Sequence, residues 1–152
     1  MHDTFDPAAL ARRQAVIGAA LARGGAGLRY ASLVIGLTAI GLSFVLLRVD
    51  PHPQAGVIGW LSLAQALFIG FGQFFGLRIA VDADLFADLA RDPDLAVFDL
   101  AMASLGLLPA AKQGRSMDER VAGLRRLLRL QGLGVTAQLL ILAALVAPGG
   151  TL

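Results

Sequence analysis

Arg29-Tyr30-Ala31-Ser32-Leu33-Val34-Ile35-Gly36-Leu37-Thr38-Ala39-Ile40-Gly41-Leu42-Ser43-Phe44-Val45-Leu46-Leu47-Arg48 decides the fold class. Between its two arginines lie eighteen residues without a charge. As a helix they measure about 27 Å, close to the ~30 Å hydrocarbon thickness of a bilayer. Two further stretches meet the same condition. Gly56 to Val81 is interrupted only by Arg78 near its end, where a long side chain can snorkel to the interface. Leu130 to Ala147 carries no charge. The chain is therefore expected to be an all-α integral membrane protein with transmembrane helices at 30–47, 56–81 and 130–147.

Composition agrees. Residues of the AVILMFWYC set make up 57% of the 152, and 18 glycines raise the apolar share to about 69%, against roughly 45–50% in soluble domains. Charged residues are 16% and the mean hydropathy is +0.71, so the chain cannot supply the polar skin of a water-soluble globule. The same numbers exclude disorder. A net charge of +2 gives no basic domain for nucleic acid. The absence of cysteine removes disulfides, thiolate metal sites and thiol nucleophiles.

A fourth apolar stretch, Leu95 to Ala111, contains Asp99 and meets Pro109. Asp92-Pro93 reads as an N-cap followed by proline at the first helical position, which leaves only about fifteen residues, some 22 Å of helix. An aspartate at the centre of a span costs about 2.5–3.5 kcal/mol. This segment is expected to lie on the membrane or to pack within a cytosolic loop. The cation distribution favours the same choice, because short loops rich in Lys and Arg stay cytoplasmic. Three spans place twelve cations on one side and Arg48 alone on the other, whereas four spans split them six against seven. The expected topology has the amino terminus cytoplasmic and a short external tail at 148–152, in a bilayer of the bacterial inner-membrane kind.

The segment 1–29 reads as a cytosolic amphipathic lead-in. Asp6-Pro7 starts a helix, Gly24-Gly25 is expected to stop it, and Leu10, Ile17 and Leu21 share a face while Arg12, Arg13 and Arg23 are polar. Such a helix suits a headgroup interface. Arg12-Arg13 ahead of an apolar run suggests an export signal, but eighteen residues is long for one and Arg48-Val49-Asp50-Pro51 offers no small-residue cleavage site. The run Tyr30 to Leu47 is therefore expected to remain as an uncleaved anchor.

The loop 82–129 segregates its charges. Asp82 to Asp99 is net −5, and Lys112 to Arg129 is net +4. Ser116-Met117-Asp118-Glu119 fits a capping box, so a helix should start there, show Val121, Leu124 and Leu128 on one face, and run on into the third span. The acidic stretch, with Leu95, Phe98, Met102 and Leu105 near one side, is expected to fold back on it as an antiparallel hairpin. Arg120, Arg125, Arg126 and Arg129 are candidates for contact with acidic lipid headgroups, worth about 1 kcal/mol each near a membrane surface.

Within the spans, small and polar residues fall into stripes. Ser32, Gly36, Ala39 and Ser43 line one face of the first. Ser62, Gln65, Ile69, Gly72 and Gly76 line one face of the second, with Gly72 to Gly76 matching GxxxG. Gln131 and Gln138 share a face of the third. Small residues let backbones approach and a glutamine can bridge the contact, so these positions are the expected helix-packing interface. It serves either the chain's own bundle or assembly with other membrane subunits or with itself.

No catalytic constellation can be assembled. His2 and His52 have no accompanying ligand cluster, and Asp82, Asp84 and Asp88 miss the glycine and glutamate that a calcium loop requires. Gly24-Gly25-Ala26-Gly27 has neither the strand before nor the lysine after that a phosphate loop needs, and no serine sits in a nucleophile elbow. The expectation is a non-catalytic accessory or scaffold subunit without cofactor or metal. The alternatives are a small homo-oligomeric channel or carrier and a lipid-responsive sensor.

Overall fold

The computed structural model describes residues 6–49, 55–106, 108–109 and 112–147. His2, His52, the Asp50-Pro51 turn and the tail at 148–152 lie outside them. The described residues form four helices, α1 (Pro7–Val49), α2 (Ala55–Arg91), α3 (Leu95–Ser104) and α4 (Met117–Val146), and no strand. Three of these, α1, α2 and α4, are long and apolar enough to cross a membrane.

Helix boundaries follow local chemistry at several points. Asp6 accepts from the Ala8 amide at 2.9 Å, and Pro7 opens α1, where its missing N–H is not needed. The Ser116 hydroxyl accepts from the Glu119 amide while the Glu119 carboxylate accepts from the Ser116 amide, a reciprocal capping box that starts α4. The expected cap at Asp92 is displaced by two residues. Asp94 is the N-cap of α3, with its carboxylate accepting from Ala96 and Val97, and Pro93 stays outside the helix. Each aspartate can cap, and the one whose acceptor reaches two free amides prevails. Well before Pro109, α3 ends at Ser104, followed by Gly106 at φ 69°, a left-handed conformation that suits glycine after a helix C-terminus.

The expected stop at Gly24-Gly25 does not occur. Helix α1 runs unbroken through Gly24, Gly25 and Gly27. A helical glycine costs about 1 kcal/mol relative to alanine, which is too little to break a helix packed on both sides. Gly25 is itself buried.

Buried positions along each long helix recur with alternating steps of three and four. On α1 they include Ala15, Gly18, Ala22, Gly25, Ser32, Gly36, Ala39 and Ser43; on α4 they include Met117, Leu124, Gln131, Gln138 and Leu145, seven apart throughout. This is the period of a coiled-coil seam.

The chain divides into two compact units: Met1–Gly24 with Ile79–Leu128, and Gly25–Arg78 with Arg129–Leu152. The core of the first unit is apolar. Ala15, Ala19 and Ala22 from α1 meet Ile79, Ala83, Phe86 and Leu89 from α2 and Met117, Val121 and Leu124 from α4, with Leu95 and Phe98 of α3 packed against them. Gly18 lies under the Phe86 ring so closely that a Cβ there would stand 2.8 Å from it. The buried face of α1 in this unit is thus alanine and glycine, and Leu10, Ile17 and Leu21 point outward. The inward face is small because the large ring of Phe86 needs small residues opposite it.

Candidate functional site

In the second unit the buried seam is small and polar. Ser32, Ala39, Ser43, Gln65, Gln131 and Gln138 are each at most 1% exposed. Gly36 lies against Ile69 and the Gln138 amide, Gly72 against the Ser32 side chain, and Gly76 against the aliphatic stem of Arg29. A Cβ at any of the three would come closer than 3.0 Å to those neighbours. The glycines therefore set how near the helices approach.

The glutamines tie the seam together. Gln65 Nε2 donates to the Gln138 carbonyl at 2.9 Å, Gln138 Nε2 donates to the Ser32 carbonyl at 3.2 Å, and Gln73 Nε2 donates to the Arg29 carbonyl at 3.3 Å. Ser43 and the half-buried Ser62 return their hydroxyls to the carbonyls of Ala39 and Ile58 one turn earlier. Four buried atoms have no protein partner: Gln65 Oε1, Gln138 Oε1 and both amide atoms of Gln131. Outward from this seam the unit is apolar, with Val34, Phe44, Leu67, Phe74, Leu133 and Leu140 all more than 60% exposed. Tyr30 and Trp60, whose rings suit a membrane–water boundary, are also outward. The Arg29 guanidinium lies 5.1 Å from the Tyr30 ring.

The first unit holds a charge pair inside, beneath a helix whose outer face is apolar. Arg120 donates to Asp99 Oδ1 at 2.5 Å, and their side chains are 13% and 9% exposed. Asp99 Oδ2 accepts from the Gly114 amide at 2.7 Å, where Gly114 adopts φ 71° and so presents its N–H in a turn that other residues resist. The Arg120 guanidinium is also 5.3 Å from the Phe98 ring. Asp99, the only charged residue of α3, faces inward, and Val97, Leu100 and Leu105 face outward at 61%, 73% and 70% exposure. At the start of α3 a cavity of about 130 Å³ is lined by Asp88, Leu89, Asp92, Asp94, Val97, Phe98 and Ala101.

Of the four arginines expected at headgroups, Arg120 is committed to Asp99, while Arg125, Arg126 and Arg129 are exposed on α4. Sequence reasoning singled out Asp99 as a cost to insertion but missed its partner. The segregated charge blocks carry that signal, although nothing in them selects Arg120 over its neighbours. Among the described residues no group of three or more His, Cys, Asp or Glu side chains converges as metal ligands. Comparison of the chain with known protein families, characterised proteins and solved structures gives no match.

Proposed function

We propose that the chain is a non-catalytic integral membrane protein that acts as an accessory or scaffold subunit of a membrane assembly. The spans lie within residues 25–49, 55–78 and 129–147, and residues 6–24 and 79–128 form a cytosolic helical domain in which α3 folds back on α4. The single observation that supports this placement is the contrast in what each unit turns outward. Around the glutamine and glycine seam the outward side chains are apolar, which suits lipid. The other unit exposes most of the chain's charges, among them Arg12, Arg13, Arg23, Asp84, Asp88, Arg91, Asp118 and Glu119.

The dimensions fit. From Tyr30 to Arg48 on α1, from Trp60 to Arg78 on α2 and from Arg129 to Val146 on α4, helical rise gives about 26–27 Å in each case. Arg29, Arg78 and Arg129 then mark the cytoplasmic edge of the three spans, with the amino terminus inside a bacterial inner membrane. The small-residue stripes serve the chain's own packing, so any partner must dock elsewhere. Arg125, Arg126 and Arg129 lie where anionic headgroups would meet α4.

The test is the mass and composition of the intact assembly after purification from native membranes in mild detergent. A second protein in fixed ratio supports a scaffold, a pure multiple of this chain moves the weight to the channel or carrier reading, and a monomer without partners contradicts a scaffold. A second reading, a small channel or carrier, draws on the unpartnered amide atoms of Gln65, Gln131 and Gln138. It requires solute flux in liposomes that Gln131→Leu reduces.

A further inference from the structure

Helix α3 is apolar on both faces, with Leu95 and Phe98 packed inward on the core. Its one charge points inward to Arg120, while Ala96, Val97, Leu100 and Ala101 form an exposed face without a polar group. Ser104, on the same side, returns its hydroxyl to the Ala101 carbonyl at 2.7 Å. A face of this kind marks an interaction surface. Its surroundings are acidic, because Asp88, Asp92 and Asp94 line the cavity together with Val97 and Ala101. Those carboxylates oppose an anionic membrane surface and favour a basic partner.

The complementary surface is in the same unit. On α1, Leu10, Arg13 and Ile17 follow the i, i+3, i+7 spacing of one helix face, and all three are exposed, with Val16 and Arg12 beside them. This face is apolar with a basic centre, where the α3 face is apolar with acidic surroundings. The two faces also lie at one level. Gln14 Nε2 donates to Asp118 Oδ1 at 2.6 Å, and Arg120 holds Asp99. Asp118 and Arg120 are two positions apart on α4, about 3 Å of rise. Copies standing side by side in one membrane share that level.

We infer that the occupant of the α3 face is a second copy of this chain, whose Leu10–Arg13–Ile17 face lies on Val97 and Leu100 with Arg13 in the acidic cavity. Arginine suits that cavity, because its stem packs on Leu89 and Phe98 while its guanidinium meets the carboxylates. The contact joins two different surfaces head to tail, so it builds a ring or a chain of copies. The inference rests on the proposed function only in that the copies share a bilayer.

The test uses the full-length chain, whose lack of cysteine allows two tagged variants, Ile17→Cys and Leu100→Cys, to be co-expressed and oxidised in native membranes. The expected product is a mixed Ile17→Cys/Leu100→Cys disulfide between differently tagged copies, well above either same-site product. Reversal of the cavity charge with Asp88→Lys and Asp92→Lys should lower that yield about fivefold, and Arg13→Asp in the other copy should restore it. Same-site products in excess of the mixed one, or no disulfide at all, overturn the inference. The mass measurement separates the two failures. A foreign protein in fixed ratio with single copies of this chain refutes self-docking and leaves the scaffold standing, whereas a monomer refutes both.

Discussion

The two units use the same seam with opposite chemistry. Both bury positions of α1, α2 and α4 at coiled-coil spacing. One fills the space between helices with Ile79, Phe86, Leu89, Met117 and Leu124, and the other with Ser32, Gly36, Gln65, Gln131 and Gln138. On the proposed placement, the difference reflects which solvent the helices leave behind. In water, burying apolar area stabilises a bundle by about 25 cal/mol per Å², so large side chains go inside. Lipid tails are as apolar as leucine, so close backbone approach and interhelical hydrogen bonds are what remain to hold helices together.

Substitutions can break this contrast, and the largest effect is expected in the apolar unit. Phe86→Ala removes the ring that covers Gly18 and should cost about 3–5 kcal/mol, read as a fall in the thermal midpoint of the solubilised protein. Next, Asp99→Ala strands the Arg120 guanidinium and the Gly114 amide and should cost about 3 kcal/mol. Asp99→Leu with Arg120→Met should recover most of that loss in the same assay. In the polar unit, Gly36→Leu must push Ile69 and Gln138 aside, for about 1–3 kcal/mol, while Gly41→Leu, in open space, should be near neutral. A smaller loss, about 0.6–1.7 kcal/mol, is expected for Gln65→Leu, which removes one interhelical hydrogen bond. If Gln65→Leu instead stabilises the protein, the unpartnered oxygen outweighs that bond and the seam is held by packing alone.

Much of the architecture was legible in the chain. The three apolar runs lie in α1, α2 and α4, and the capping box at Ser116 and the start at Pro7 stand as read, because these signals are local. What was not legible depends on distant neighbours. The inward face of α1 before Gly24 is alanine because Phe86, more than sixty positions away, fills the gap. The passage of α1 through Gly24-Gly25 depends on packing that no glycine count reveals. Asp94 outcompetes Asp92 as a cap through the path of two backbone amides. The stripes from Ser32 to Ser43 and from Gln65 to Gly76 were readable as packing faces, but the inward turn of Asp99 appears only once Arg120 is seen to hold it.

The most direct test of the membrane placement is accessibility of single cysteines to an impermeant thiol reagent in intact cells. Gln54→Cys, between the first two spans, should be labelled from outside. Ser104→Cys, at the end of α3, should react only after the membrane is opened. Labelling of Ser104→Cys in intact cells would place α3 outside and contradict three spans with a cytosolic domain.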